Sequence, residues 1–347
     1  MLFLDNTVFS RDVNFILKSE FELNTTLTIA KSIKNFHRFS SKVKVVDSHG
    51  YNISEFVAAN RFTLVTCDKN VYEINKSMGI DCVLTSPEYN TKYIELNFDI
   101  YKHKRVSVEL PLQENEYFIG SGALCLYTNG VVQLLSSDND VMGIKPKNKG
   151  QHFAMDALVD EDIKLVFITG VAGTGKTLLS IAAGLEQTLN EGLYNKIIVS
   201  RPNVSLGMDL GYLPGSMEEK MSPWLMPIED NINMILSNTR MDDFDTLKTR
   251  NQVEVQPLAF IRGRSLSKSF IVIDEAQNLS EHEIKTILTR AGDGTKIVMT
   301  GDPEQVDIGS SGLLSVIEKM KGDSIVAHVH LTKTERSRLA ELSAKNL

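Results

Sequence analysis

The 347-residue chain has few cysteines, one tryptophan and no long apolar run, and each shortage excludes a class of protein. Its three cysteines, Cys67, Cys82 and Cys125, are far apart, which excludes a disulfide-built fold and the ligand spacing of a zinc site. No run of about 18 apolar residues occurs, and the first residues lack the basic start and apolar core of a secretory signal. We therefore expect a cytoplasmic protein with no membrane partner.

Positive charge is also scarce, since 37 Lys and Arg against 44 Asp and Glu give a formal net charge of −7. This balance argues against a strongly basic nucleic-acid binder, so attraction to phosphate must come from local patches. The clearest patch in the sequence is residues 31–44, which contain five Lys or Arg and no acid. A run of this kind is more often a solvated face than a nucleic-acid site.

The pattern of apolar runs divides the chain into three parts. Residues 1–92 alternate short apolar runs with polar helical stretches, which predicts a small α/β domain. Residues 93–145 contain short strand-like runs separated by Gly, Asn and Asp, which predicts a β-rich connector. Residues 146–347 alternate helical stretches with apolar, β-branched runs, as strands buried on both faces of a parallel sheet do. The predicted fold class is α/β, with a doubly wound parallel sheet in the last part.

The strongest motif is GVAGTGKT at residues 170–177, which matches G-x-x-x-x-G-K-[ST]. It lies between a predicted strand and a predicted helix. Such a loop surrounds phosphate oxygens with backbone N–H groups at the positive end of the helix. Here Lys176 would contact the β- and γ-phosphates, and Thr177 would ligate Mg²⁺. The predicted cofactors are ATP and Mg²⁺. The loop residues assigned to nucleotide binding are Gly170, Ala172, Gly173, Thr174, Gly175, Lys176 and Thr177.

Two acids at the end of a second buried strand complete this site. Residues 270–273 are apolar, and Asp274 and Glu275 follow them. Asp274 is predicted to hold Mg²⁺, and Glu275 is predicted to act as the general base on the attacking water. Small-molecule kinases on this fold need no such base, so the pair favours hydrolysis over phosphoryl transfer.

Further candidates are assigned by their distance from these strands. The run KIVMT ends in GDPEQ, which predicts Asp302 and Gln305 near the γ-phosphate, with a helix N-cap as the alternative for Asp302. Gln151 precedes the loop strand by roughly a dozen residues, where an amide can read the adenine edge. Arg336 and Arg338 follow the last apolar strand. One of these two arginines is predicted to stabilise the charge of the transition state, in cis or across a subunit interface. The alternative is that both are ordinary solvated arginines.

Together these residues resemble the PhoH-like ATPase family, in its form fused to an N-terminal PIN-type nuclease domain. The resemblance covers about residue 143 to the end. The matching strings are GIKPKN at 143–148, VSRPNVSLGMDLGYLPGSMEEKMSPW at 199–224, PLAFIRGRSL at 257–266, FIVIDEAQNL, MTGDPEQVD and TERSRL.

This resemblance implies a P-loop domain like the RecA-type first motor domain of superfamily-one helicases, standing alone. It implies an ATP-driven, homo-oligomeric motor on RNA or single-stranded nucleic acid, with a hexameric ring as one option. It also assigns Arg201, Arg262 and Arg264 to phosphate or nucleic-acid contacts. Arg336 becomes the catalytic arginine, donated by a neighbouring protomer.

The N-terminal part is similar to a shortened PIN domain. The strings LDNTVF at 4–9 and FTLVTCDKNVYEINKSMGI at 62–80 match its opening strand and its closing strand and helix. The resemblance assigns Asp5 and Asp68 to a Mg²⁺ or Mn²⁺ site. Because the middle is short and Asp-Thr-Asn is replaced by Asp-Asn-Thr, we favour a structural or RNA-positioning domain over an active nuclease. A nucleotide-dependent switch without nucleic-acid activity is the third alternative.

Overall fold

The structure is a computed structural model with two compact units, Met1–Tyr89 and Asn90–Leu347. It describes residues 2–4, 23–26, 43–46, 57–58, 62–66, 69–84, 91–136, 140–202, 217–239, 241–261, 266–303, 305–306 and 311–335. The three-part division expected from the sequence stays a prediction beside these two units. No helix in the described ranges is both long enough and apolar enough to cross a membrane.

The first unit contains a five-stranded parallel sheet with the order β3-β2-β1-β4-β5. Its elements are β1 (Leu2–Leu4), β2 (Leu23–Thr26), β3 (Val43–Val46), β4 (Thr63–Thr66), α1 (Lys69–Ser77) and β5 (Cys82–Leu84). Short apolar runs such as LFL and TLVT form its central strands, and Phe3, Leu4 and Leu64 are fully buried there. The predicted α/β character of this region is confirmed for the described strands.

The second unit begins with a small, mostly antiparallel sheet, which we call the β-rich sheet, with the order β6-β8-β9-β10-β7. Its elements are β6 (Lys92–Ile94), α2 (Ile100–His103), β7 (Arg105–Ser107), β8 (Glu116–Gly120), β9 (Ala123–Thr128) and β10 (Val131–Leu134). Phe118, Cys125 and Val132 lie in its core, each with no exposed surface. Cys125 is a free, buried thiol, as the spacing of the cysteines predicts.

The rest of the second unit is built on a six-stranded parallel sheet with the order β13-β12-β14-β15-β11-β16. Its strands are β11 (Leu165–Gly170), β12 (Lys196–Arg201), β13 (Val253–Pro257), β14 (Ser269–Ile273), β15 (Lys296–Gly301) and β16 (Val326–Leu331). Its helices are α3 (Lys149–Val159), α4 (Lys176–Leu185), α5 (Met217–Ser237), α6 (Phe244–Thr249), α7 (Glu281–Leu288) and α8 (Leu313–Met320). A π-helical turn, Glu186–Asn190, extends α4.

Helices cover both faces of this sheet, which is why its strands are apolar on both sides. In β11, Val166 and Ile168 face a core shared with α3, α4, α5 and α6. Leu165 and Phe167 of the same strand face the opposite core, shared with α7 and α8. The predicted doubly wound parallel sheet is therefore confirmed, and the carboxyl ends of all six strands lie at one edge.

Asn115, directly before β8, and Tyr117, in β8, attach the β-rich sheet to β16 and to α3. The Asn115 amide donates to the carbonyl oxygens of Ser324 (2.7 Å) and Val326 (3.1 Å) at the start of β16. The Tyr117 hydroxyl donates to Asp156 Oδ2 on α3 at 3.0 Å. Burial raises the pKa of Asp156 to about 6, although the hydrogen bond from Tyr117 opposes this shift.

The raised pKa of Asp156 predicts how this attachment depends on pH. A carboxyl whose pKa rises on folding binds its proton more tightly in the folded state, so it stabilises the fold at low pH. That stabilisation is present below the unfolded pKa and is lost as pH rises through about 6. We expect the free energy of unfolding of the parent, relative to Asp156→Asn, to fall by about 2 kcal/mol between about pH 4.5 and 7.5.

The measurement is urea unfolding at several pH values, followed by fluorescence of Trp224, the single tryptophan, which lies in α5. The Asn side chain retains an oxygen that accepts from Tyr117, so the variant removes only the titration. Asp162→Asn, at an exposed carboxyl nearby, is the control. If the difference in free energy of unfolding between parent and variant stays constant with pH, the titration of Asp156 does not contribute to the pH dependence of stability.

Candidate nucleotide site

The glycine-rich loop at residues 170–177 connects β11 to α4 at the carboxyl edge of the sheet. Gly170 has φ of 146°, and a Cβ atom there would lie 2.2 Å from the carbonyl oxygen of Leu331 in the adjacent strand. Gly175 has φ of 94° and precedes the first residue of α4. Only glycine permits both the conformation and the close approach. The loop therefore curls back over the N-terminus of α4, as the motif predicts.

Lys176 is the first residue of α4, and its ammonium is directed into the loop. Its Nζ donates to the carbonyl oxygens of Gly170 at 2.6 Å and Val171 at 3.1 Å. These contacts hold a positive charge inside the loop that the glycines form. The arrangement places one ammonium beside the positive end of a helix, and both favour an anion such as phosphate.

Thr177 forms a direct hydrogen bond to Asp274, which follows the end of β14. Its hydroxyl donates to Asp274 Oδ1 at 2.7 Å, and the Thr300 hydroxyl at the end of β15 donates to the same oxygen at 2.6 Å. Asp274 is 4% exposed, and burial, followed by the charge of Glu275, raises its pKa. A buried carboxylate between two hydroxyls is a site that favours a cation.

Glu275 follows Asp274 in a left-handed backbone conformation, with φ of 56°. Residues other than glycine adopt this conformation at a cost of about 1–3 kcal/mol, and such strain is concentrated at functional sites. Arg201, at the end of β12, donates to Glu275 Oε1 at 2.5 Å and lies 3.8 Å from Asp274 Oδ2. Burial opposes ionisation of Glu275, but hydrogen bonds from Gln277 and Arg201 and the charge of Arg201 lower its pKa.

Gln277 connects Glu275 to the end of β15. Its Nε2 donates to Glu275 Oε2 at 2.6 Å and to the carbonyl oxygen of Gln305 at 3.0 Å. Its Oε1 accepts from the backbone N–H of Asp302 at 3.1 Å. Asp302 Oδ2 in turn accepts from the Ala172 N–H of the loop at 3.1 Å. Asp302 therefore contacts the loop, and the backbone of Gln305 lies beside the general-base candidate.

Gln151, in the first turn of α3, is 5% exposed and contacts the opposite side of the loop. Its Nε2 donates to the carbonyl oxygen of Thr174 at 2.9 Å, and its Oε1 accepts from the Lys147 N–H at 2.8 Å. Asn148, the N-cap of α3, donates to Glu335 Oε1 at 2.9 Å. The Glu335 N–H donates to the carbonyl oxygen of Gly173 at 2.9 Å. Two segments distant in sequence thus meet at the loop.

Comparisons with known proteins identify the family of the chain. Residues 143–345 match the model of the family described as "PhoH-like protein", which is more than half of the chain. The chain belongs to the PhoH-like protein family. Its P-loop fold is the one that the glycine-rich loop and the two acids predict, and the resemblance to the PhoH-like family is confirmed. The PIN-like character of the first unit stays a prediction.

Two relatives named protein PhoH2 are each 42% identical to this chain. The protein from Bacillus subtilis aligns over 289 residues, which are 81% of this chain and 65% of the relative. The protein from Mycolicibacterium smegmatis aligns over 221 residues, which are 62% of this chain and 50% of the relative. The chain thus spans between half and two thirds of the length of these relatives. The large terminase of a thermophilic bacteriophage aligns structurally with 58% of this chain and 50% of its own, with a TM-score of 0.36 and 14% identity.

The oxygen donors at the loop fit a magnesium ion in this PhoH-like chain. Thr177 Oγ1 and Asp274 Oδ1 lie 2.7 Å apart, and hydroxyl and carboxylate oxygens are the ligands that Mg²⁺ prefers. The raised pKa of Asp274, caused first by burial, shows a carboxylate that a cation would stabilise. No cluster of three or more His, Cys, Asp or Glu suited to a metal is found among the described residues.

Several site residues were not identified from the sequence. Each of them forms a hydrogen bond with a residue that the sequence did identify. They are Gln277, Thr300, Asn148 and Glu335. The position of Gln277 two residues after Glu275 was the available signal, because a residue just past the strand end stays at the same edge. Asn148 and Glu335 are 187 positions apart, and no local pattern predicts their contact.

Six predicted site residues lie outside the described residues: Asp5, Asp68, Arg262, Arg264, Arg336 and Arg338. The patch at residues 31–44 lies outside them as well, except for residues 43 and 44. The roles assigned to these side chains, and to every other predicted site residue, stay predictions.

Proposed function

We propose that this chain is an ATP-hydrolysing motor that acts as a homo-oligomer on single-stranded nucleic acid, with RNA preferred over DNA. The observation that carries the proposal is the 2.7 Å contact between Thr177 of the loop and Asp274 at the neighbouring strand end, with Glu275 beside it. A phosphate-binding loop, a cation-binding acid and a second acid together are the parts that nucleotide hydrolysis requires.

Each residue then has a defined part in the reaction. Loop N–H groups and Lys176 bind the β- and γ-phosphates. Thr177 and Asp274 would hold Mg²⁺, which would supply positive charge against the negative charge that develops in the transition state. Glu275 accepts a proton from the attacking water. The water oxygen bonds to the γ-phosphorus as the bond to the β–γ bridging oxygen breaks, and ADP leaves. Arg201 and Gln277 keep Glu275 ionised for this step.

The hydrogen-bonding groups of Gln151 support adenine as the nucleobase of the bound nucleotide. Its amide carries two N–H donors and two acceptor lone pairs, and its hydrogen bonds to Thr174 and Lys147 use one of each. The remaining donor and acceptor match the N7 acceptor and the N6 donor of adenine. Its second task is to hold the loop through Thr174.

Action on nucleic acid is supported by the helicase-like motor domain that the sequence strings resemble. The oligomeric ring and the role of Arg336 rest on that resemblance as well. The Glu335 N–H donates to the carbonyl oxygen of Gly173, so the described chain contacts the loop at Glu335.

The test is the steady-state rate of ATP hydrolysis with and without single-stranded RNA of about 20 nucleotides, at low salt. We expect hydrolysis to be stimulated severalfold by RNA, with stimulation decreasing as salt rises, because counterions compete for the phosphate contacts. Hydrolysis that ignores RNA at every salt concentration would favour the nucleotide-dependent switch. Absence of hydrolysis under all conditions would contradict the motor itself.

A second candidate function, metal-dependent RNA cleavage by the first unit, is favoured by one observation. β1 and β4 are neighbours and parallel, so their carboxyl ends lie at the same edge of the sheet. In the sequence, Asp5 follows β1 directly and Asp68 follows β4 by two residues. Paired carboxylates after adjacent strands are suited to Mg²⁺ or Mn²⁺. Mn²⁺-dependent RNA turnover that Asp5→Asn and Asp68→Asn both abolish would establish this activity.

A further inference from the structure

A second surface, on the β-rich sheet, has features of a ligand-binding segment. It consists of residues 101–105, with the sequence YKHKR, and we call it the YKHKR segment. The segment follows Ile100, which is 1% exposed and anchors α2 in the core of the β-rich sheet. All five residues of the segment are exposed. One buried anchor therefore presents five consecutive side chains to solvent.

The backbone of the segment is held by hydrogen bonds at both ends. Asp99 Oδ1 accepts from the N–H groups of Tyr101 (3.0 Å) and Lys102 (3.2 Å). The Lys104 N–H donates to the Ile100 carbonyl at 2.8 Å, and the Lys104 carbonyl accepts from the Leu134 N–H at 2.8 Å. The backbone is thus formed before any ligand binds, which lowers the entropy cost of binding.

The charge of the segment is positive in a chain whose net charge is −7. Lys102, Lys104 and Arg105 are basic side chains, and none of them forms an ion pair with a described residue. Other exposed lysines do form such pairs, for example Lys319 with Glu281. The residue opposite Arg105 in the neighbouring strand is Gln133, which is uncharged. Within the described chain, these cations are not neutralised by partners.

Tyr101 adds an aromatic surface to these cations. It is 61% exposed, although a tyrosine ring is largely apolar and usually buries most of its area. Cations beside an exposed aromatic ring are the combination that binds a single strand, because phosphates contact the cations while a base stacks on the ring. An acidic protein would match the cations but would leave the ring without a stacking partner. A duplex would hide its bases from the ring.

We propose that the YKHKR segment is a binding surface for single-stranded nucleic acid. This inference rests on the proposed function, because it names a surface outside the nucleotide site by which the motor holds its strand. The β-rich sheet that carries the segment is attached to β16 through Asn115 and to α3 through Tyr117. Both of those elements lead to residues at the nucleotide-binding loop, Glu335 and Gln151. A strand bound there is therefore connected to the loop through packed elements.

The test measures binding of the full chain to fluorescein-labelled oligouridine of about 20 nucleotides, by fluorescence anisotropy, over a range of salt concentrations. The triple variant Lys102→Glu, Lys104→Glu, Arg105→Glu should bind at least about 10-fold more weakly at low salt. The slope of log affinity against log salt should become shallower by about 2, since three phosphate contacts are lost. Tyr101→Ala should weaken binding by about 5-fold or more with the slope unchanged, because stacking involves no counterion release.

A matched control reverses three exposed cations of the same types elsewhere, Lys248→Glu, Lys285→Glu and Arg290→Glu. If this control weakens oligouridine binding as much as the triple variant does, the proposal is overturned, because the change in total charge alone would then explain the lost affinity. Unchanged RNA-free ATP hydrolysis in the segment variants verifies that they fold.

Two further outcomes separate this inference from the proposed function. If the parent binds oligouridine and the segment variants bind it equally well, only the YKHKR surface is rejected. If the parent binds neither oligouridine nor oligothymidine, nucleic-acid action and this surface are both rejected. Oligothymidine distinguishes DNA from RNA, and a duplex of equal length should bind more weakly than either.

Discussion

Replacing Lys176 by Ala is expected to reduce ATP turnover by at least about 100-fold, the range seen when one preorganised charge donor is removed from a transition state. The ammonium is held within the loop by the carbonyl oxygens of Gly170 and Val171. In the proposed reaction, oxygens of the β- and γ-phosphates replace those carbonyls as its partners. Removing the ammonium therefore removes the one side-chain cation that the described loop itself contributes.

The measurement is phosphate release under steady-state conditions, together with binding of a fluorescent ATP analogue. Lys285→Ala, at an exposed position on α7, is the matched control and should retain parental turnover. Lys176→Arg should not restore the rate, because a planar guanidinium does not fit where a compact ammonium contacts two carbonyls. Full turnover in Lys176→Ala would reject the nucleotide site proposed for this loop.

Replacing Glu275 by Gln is expected to slow hydrolysis by about 100- to 10,000-fold while ATP still binds, as loss of a general base does. The Glu275 carboxylate accepts hydrogen bonds from Arg201 and Gln277, which lie outside the loop, so the phosphate-binding groups should stay in place. The substituted glutamine retains an oxygen that can accept from either donor, so the substitution changes proton acceptance more than shape.

Single-turnover hydrolysis and nucleotide affinity should be measured together for this variant. The expected pattern is a large fall in the rate of the chemical step and an unchanged or tighter Kd for ATP. Glu109→Gln, at an exposed carboxylate on the β-rich part, serves as the control. A variant that loses binding and hydrolysis in parallel would show that Glu275 holds the site together and is not its base.

Local sequence patterns predicted much of the second unit. The apolar run at 165–169 lies within one strand, and the run at 270–273 forms all but the first residue of another. The helix predicted after the glycine-rich loop is an α-helix from Lys176 to Leu185, which continues as a π-helical turn. Helix α7 ends at Leu288 and begins with a capping box between Ser280 and Glu283. These features follow from periodicity and caps within a few residues.

Contacts between distant segments were not predictable in the same way. The apolar pattern indicates that β11 and β14 are both buried, but the observed order places β15 between them. Asn148 with Glu335, and Asn115 with Ser324, join residues 187 and 209 positions apart. Such pairs depend on which helices and strands become neighbours, and that choice minimises the free energy of the whole unit.

The sequence alone determined that this chain has a nucleotide-binding loop, two acids after a buried strand and a parallel sheet. It did so because each of these features depends on residues close together in the chain. Only the tertiary structure decided that Asp274 is held by Thr177 and Thr300, that Arg201 and Gln277 hold Glu275, and that the YKHKR segment is exposed. Those facts come from strands meeting at one edge of a sheet, where packing brings together side chains that the chain order separates.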